Sequence, residues 1–218
     1  MSEVSFTLDA GAGSFGRAAQ MSGQHVQQIK STAMLSAFFR SEDLVELLSQ
    51  PGSVGLRIYP ALDNTGHFSL LAVAFDSSKS DIQSNCFVAQ GNGSITRLKG
   101  QQAKGLLGEV QRVMEQAAQE GRGASTPLFT ESGAEGALYA KVAFKGADLD
   151  ILLNSGAAGI RFLSTRIAFK AGDPSFNTLA AVAVDASGRE SEQALISTLP
   201  CPPDCGGGGY LNAGFTTL

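Results

Sequence analysis

The segment Phe39-Arg40-Ser41-Glu42-Asp43-Leu44-Val45-Glu46-Leu47-Leu48 (FRSEDLVELL) returns later in the chain as Phe144-Lys145-Gly146-Ala147-Asp148-Leu149-Asp150-Ile151-Leu152-Leu153 (FKGADLDILL). The aromatic, basic, Asp and Leu positions coincide. Downstream, Gly55-Leu56-Arg57-Ile58 is answered by Gly159-Ile160-Arg161-Phe162, and Leu70-Leu71-Ala72-Val73-Ala74-Phe75-Asp76 by Leu179-Ala180-Ala181-Val182-Ala183-Val184-Asp185. Three matches in the same order, with small insertions where turns are expected, indicate a tandem duplication.

Each unit reads as helix, strand, turn, strand. Ser41 suits an N-cap, and Glu42 and Asp43 in the first turn favour the helix dipole. Leu44, Leu47 and Leu48 share one helix face. Gln50-Pro51-Gly52 stops this helix, as Asn154-Ser155-Gly156 stops the second. Alternation then places Val54, Leu56 and Ile58 on one side of a strand and Gly55, Arg57 and Tyr59 on the other. Asp63-Asn64-Thr65-Gly66 signals a turn, replaced in the second unit by Ala171-Gly172-Asp173-Pro174. The return strand Phe68 to Phe75 is apolar at nearly every position, so it requires cover on both faces. Val26, Ile29, Ala33 and Ala37 are spaced for a helix leading into the first unit. Leu106, Leu107, Val110, Val113, Met114 and Ala117 form an amphipathic stripe between the units. The expected class is α+β, with two such units, mainly antiparallel sheet and a connecting amphipathic helix. The expected organisation is a Gly-rich arm over 1–21, unit one over 22–98, helix and linker over 99–125, unit two over 126–198 and a Cys-Pro/Gly-rich tail over 199–218.

Composition narrows the function classes. The 218 residues hold 17% charged side chains, 26 glycines and a net charge of −4, against about 25% charged in an average protein. A weakly charged surface offers little like-charge repulsion between copies, which points toward self-association. The 16 basic residues are scattered, and nucleic-acid binding requires them clustered. No apolar run reaches a membrane-spanning length, and Met1-Ser2-Glu3-Val4 lacks the features of a leader, so the expected location is cytoplasmic, with leaderless export left open. Three cysteines (Cys86, Cys201, Cys205) are too few for a disulfide scaffold.

Gln50 through Tyr59, with its QPG and GLRIY elements, resembles a group of uncharacterised small bacterial proteins, chiefly of Bacteroidota. Leu199-Pro200-Cys201-Pro202-Pro203-Asp204-Cys205, followed by Leu211-Asn212, resembles the Pro-Cys-Pro-Pro-x-Cys tail of the same group. In that group a single unit of this kind precedes the tail. Here the tail follows the second copy only, and Ser53 stands where many relatives carry a small or thiol residue. The resemblance implies the architecture and supplies no catalytic residue.

Candidate sites are few. Gly11-Ala12-Gly13-Ser14-Phe15-Gly16 matches G-x-G-x-x-G, but no acid ends a second strand at the required distance, so it reads as a Gly-rich arm. Cys201, Asp204 and Cys205 are weak candidates for a soft metal, short of a full ligand set. Two prolines in an extended path hold the two cysteines roughly 12 Å apart, beyond the roughly 4.4–6.8 Å that a disulfide needs unless the chain turns near Asp204. A rigid docked tail is the third reading, and the favoured one. His25 and His67 stand outside any hydrolase pattern. Asp76 and Asp185 suit Asx turns. Arg57 and Arg161 enter the sheets at equivalent places, for a ligand carboxylate or phosphate or, in the preferred reading, for a salt bridge at an interface. The expected function is therefore a non-enzymatic, self-associating structural subunit without cofactors. Its partner would be itself, in a homo-oligomer or filament, with no nucleic acid and no membrane. The alternative is a ligand- or metal-binding regulatory module using the tail or the two arginines.

Overall fold

The computed structural model describes residues 5–7, 19–33, 35–119, 141–168, 176–197 and 200–201. The strands are β1 (Ser5–Thr7), β2 (Ala19–Ser22), β3 (Ser36–Arg40), β4 (Ser53–Leu62), β5 (Phe68–Asp76), β6 (Asp81–Ala89), β7 (Ile95–Leu98), β8 (Lys141–Lys145), β9 (Gly159–Ala168), β10 (Phe176–Val184), β11 (Glu190–Ile196) and β12 (Pro200–Cys201). The helices are α1 (Gln24–Thr32), α2 (Ser41–Leu48), α3 (Gly100–Gln119) and α4 (Gly146–Leu153). The fold is α+β, and every strand pairing is antiparallel except that of β1 with β9.

The helix, strand, turn, strand order recurs as α2–β4–β5 and α4–β9–β10, and each unit carries more than that. A short strand (β3 or β8) runs directly into the helix, and a third strand (β6 or β11) follows the hairpin. The two units exchange their leading strands. β3 pairs with β9, with Phe38 opposite Arg161 and Arg40 opposite Gly159. β8 pairs with β4, with Ala143 opposite Arg57 and Lys145 opposite Gly55. The exchange extends further outward, since β2 pairs with β11, and β7, which precedes α3 and β8 as β2 precedes α1 and β3, pairs with β6. Each sheet is therefore centred on one unit and flanked by strands that precede the helix of the other, with β12 added outside β8.

Gly55 and Gly159 are what this arrangement needs from the sequence. The strand-to-helix corner of one unit passes directly over the glycine of the other. A Cβ on Gly55 would overlap the Phe144 carbonyl and approach the Phe75 ring to 2.8 Å. One on Gly159 would overlap the Phe39 carbonyl and come within 2.5 Å of the Phe38 ring. Only glycine allows so close a backbone approach.

The two sheets face each other across one core. Leu56, Ile58, Leu70, Ala72 and Phe87 come from one sheet and Ile160, Phe162, Leu179, Ala181 and Leu195 from the other, with Leu44, Leu47, Leu149 and Leu152 of α2 and α4 packed in. The equivalent residues Phe39 and Phe144 both meet Phe162, at centroid distances of 5.8 and 5.4 Å. The outer faces are covered by helices. Val26 and Ile29 of α1 pack on Leu163, Ala180, Val182, Ala194 and Ile196. Ala103 and Leu107 of α3 pack on Tyr59, Leu71, Val73, Cys86 and Val88. The doubly apolar return strands thus find the sister unit on one side and a helix on the other, as their composition requires.

Three local readings are corrected. Ser41 is not an N-cap; it is the first helical residue, and its hydroxyl donates to the Ala157 carbonyl of the other unit at 2.6 Å. Ala37 is not on the leading helix, which ends at Thr32; its burial belongs to the alternation of β3. Val54 is not in the core, because a bulge between Ser53 and Gly55 inserts it as an extra residue and leaves it 43% exposed. The tail from 202 onward, the turn at 171–174, the linker at 121–125 and the glycines at 11–16 lie outside the described residues.

Four hairpin turns share one design. The amides of Asp63, Asp76, Gln90 and Asp185 donate to the carbonyls of His67, Ser80, Ser94 and Arg189, and the fourth residue of each turn has positive φ. That residue is Gly66, Gly93 or Gly188 in three of them and Lys79, at φ 63°, in the fourth. A left-handed non-glycine residue is strained by its Cβ. Lys79→Gly is therefore expected to raise stability by about 1 kcal/mol, part of the relief being lost to the freer unfolded chain. Urea denaturation of the variant checks it.

Candidate functional site

The repeat arginines occupy equivalent places and have different surroundings. Arg57 donates from Nη1 to Asp81 Oδ1 and from Nη2 to the Lys79 carbonyl, both at 2.7 Å. Its guanidinium lies over the Phe75 ring, 4.9 Å from the centroid, and the edge of that ring occupies the space that Gly55 leaves free. Tyr59, two residues along the same face, donates its hydroxyl to Asp81 Oδ2 at 2.8 Å. The side chains of Arg57 and Asp81 are 4% and 0% exposed. Burial, and then the Asp81 charge, push the Tyr59 hydroxyl well above its ordinary pKa. The network satisfies its charges internally and offers no free group to a ligand. Arg57 is thus a salt-bridge residue inside the first unit.

Arg161 pairs with Glu190 (Nε to Oε1, 2.6 Å), which stands at the start of β11 as Asp81 stands at the start of β6. It reaches across the exchange: its guanidinium lies 5.8 Å from the Phe38 ring centroid, and Nη1 donates to Ser36 Oγ at 3.4 Å. This pair is looser, with side-chain exposures of 33% and 24%. Lys30 of α1 also approaches Glu190, at 3.5 Å. Arg161 borders a cleft of about 330 Å³ between β3 and the turns at 63–67 and 90–93.

Each titratable group in that cleft is already engaged. Asp63 Oδ1 accepts from the Thr65 hydroxyl at 2.6 Å and from the Thr65 and His67 amides. Its Oδ2 accepts from the Gly91 amide. His67 Nδ1 meets Thr65 Oγ1 at 2.8 Å. The Thr65 hydroxyl, followed by the backbone amides, holds the Asp63 carboxyl at a pKa of about 2. In the second unit, at the place equivalent to Asp76, the Ser187 hydroxyl and the Arg189 amide bring Asp185 to about 2. Asp76 is lowered for the same reason, led by Ser78. These three aspartates form Asx turns.

A pH dependence follows. A carboxyl whose folded pKa lies below its unfolded value stabilises the fold above the unfolded pKa, and that contribution disappears as pH falls through the folded one. Stability is expected to decline between about pH 4 and pH 2. Asp63→Asn combined with Asp185→Asn should flatten this part of the profile in urea denaturation. An unchanged slope would assign the acid sensitivity elsewhere.

Cys86 lies buried between the first sheet and α3, and burial pushes its thiol up to about 12, so it stays protonated and unreactive. Of the tail candidates, the Cys201 backbone forms β12, while Asp204 and Cys205 lie outside the described residues. Among the described residues no group of three His, Cys, Asp or Glu side chains is placed to hold a metal ion. Among them also, no helix is long and apolar enough to cross a membrane.

Sequence reasoning missed a groove of about 400 Å³ between α2 and α4, bordered by Val45, Leu48, Val54, Ala147 and Asp150. Val45, an apolar residue outside the Leu44, Leu47 and Leu48 set, was the available signal, whereas the bulge that exposes Val54 cannot be read from alternation. Comparison with protein-family models, with curated proteins and with solved structures gives no match.

Proposed function

We propose that this protein is a non-enzymatic structural subunit that associates with copies of itself. One observation carries the reading. The large apolar side chains that stand exposed among the described residues are Val45 (49%), Val54 (43%) and Ile151 (53%), and they gather at one place. Val45 and Val54 border the α2–α4 groove, and Ile151 lies one turn beyond Ala147 on the same face of α4. Scattered apolar residues on a surface mean little, whereas a cluster beside a groove marks a contact surface. The low charge of the chain acts in the same direction.

Size-exclusion chromatography with light scattering across the micromolar range tests this. The parent chain should form an oligomer that Val45→Lys with Val54→Lys shifts toward monomer, and negative-stain images should show discrete rings or filaments. A strict monomer at every concentration and salt would overturn the reading. The alternative, a ligand- or metal-binding regulatory module, rests on the Cys201–Cys205 tail or on the cleft beside Arg161, since Arg57 is engaged by Asp81, Lys79 and Phe75.

A further inference from the structure

The two units differ in how their third strands end. Ser69 Oγ donates to the Ala89 carbonyl in the first unit, and Thr178 Oγ1 donates to the Ser197 carbonyl in the second, both across the last rung of the hairpin. Beyond that rung the first unit turns back through Gln90 into β7. The second continues instead, as β12, onto the outer edge of β8, with Pro200 opposite Val142 and Cys201 opposite Lys141. The Ser197 hydroxyl also donates to the Ala143 carbonyl, so the backbone groups of Ala143 face outward, away from β4. Alternation then turns Lys141 outward and Val142 inward. Pro200 sits where its missing N–H costs no hydrogen bond.

The position on β3 that corresponds to this edge is open. Ser41 and Ser164 donate their amides to the carbonyls of Ala158 and Leu35, which fixes the alternation of the ladder with β9. Ser36 and Phe38 therefore turn their backbone N–H and C=O outward. Among the described residues no strand pairs with that edge. The cleft of about 330 Å³ runs along it, bordered by Ser36, Ala37 and Phe38 on one side and by Ala89 and Gln90, where the first unit turned away, on the other.

We propose that this edge accepts an extended strand, and that the strand is the Pro200–Cys201 segment of a second copy, released from the β8 edge of its own chain and added antiparallel to β3. The equivalence of the two edges sets the register: Cys201 falls opposite Ser36 and Pro200 opposite Ala37. The Cys201 amide donates to the Ser36 carbonyl and the Ser36 amide to the Cys201 carbonyl, while Pro200 faces a residue whose own backbone groups are used by β9. Main-chain addition of this kind gives affinity without new side-chain chemistry. The inference deepens the self-association reading and rests on it for the identity of the partner, but uses a surface separate from the α2–α4 groove.

A synthetic peptide of residues 196–206, kept reduced, tests it by calorimetry against the full-length protein. Saturable one-to-one binding is expected. Ser36→Pro removes an outward N–H and leaves the ladder to β9 intact, so it should weaken binding about tenfold. N-methylation of the peptide at the Cys201 amide should weaken it similarly, and that probe decides the matter if Ser36→Pro fails to fold. No binding, or binding indifferent to both changes, overturns the proposal. Val45→Lys should bind the peptide as tightly as the parent chain. A monomeric parent that still binds in the expected manner would leave the strand site standing but overturn a second copy as the donor of the strand.

Discussion

Asp81→Ala is expected to destabilise the fold by about 3–5 kcal/mol, the range for stranding one partner of a buried ion pair. The substitution leaves the Arg57 guanidinium, 4% exposed, without its carboxylate and leaves the Tyr59 hydroxyl without its acceptor. Glu190→Ala, at the equivalent place in the second unit, should cost under about 1 kcal/mol, because the Arg161 pair is partly open to solvent. Adding Arg57→Met to Asp81→Ala should recover much of the loss, since the penalty arises from the uncompensated charge. Urea denaturation of the variants measures all three. Equal effects at Asp81 and Glu190 would contradict the distinction drawn between the two arginines.

Gly55→Ala and Gly159→Ala should each cost about 2–3 kcal/mol by overpacking. In both cases the new methyl meets the backbone carbonyl of a phenylalanine in the other unit, and a backbone at a strand-to-helix corner cannot swing aside as a side-chain tip can. Gly105→Ala is the control. Nothing lies within 4 Å of its Cβ position on α3, so the change should be neutral or stabilising by up to about 1 kcal/mol. Thermal or urea unfolding separates these outcomes. If Gly159→Ala were as mild as Gly105→Ala, the close passage of β3 over β9 would be wrong.

Much of the local architecture was legible in the sequence. The repeated Leu and Asp positions of 39–48 and 144–153 specify α2 and α4, and the alternation after Gly55 and Gly159 specifies β4 and β9, because helix and strand periodicities are local properties. The leading strand at 36–40 is only five residues long, too short for alternation to stand out from the helical spacing of Val26, Ile29 and Ala33. The exchange could not be read at all. A repeat constrains the shape of each unit and is silent on which unit a strand pairs with. The arginines were picked out correctly as equivalents, but their partners Asp81 and Glu190 stand on third strands that the pattern had not placed, so the difference in burial stayed hidden. The cleft beside β3 is built from three distant segments, and no window of sequence contains it.

The exchange of leading strands underlies both the packing argument and the open edge, and NMR tests it most directly. The pairs Phe38–Arg161 and Ala143–Arg57 are rungs whose backbone groups point away from one another, which brings their Hα atoms close. A NOESY spectrum should show Hα–Hα cross-peaks for these two pairs. Cross-peaks for Phe38–Arg57 and Ala143–Arg161 instead would mean that each unit keeps its own strand, and would contradict the exchange.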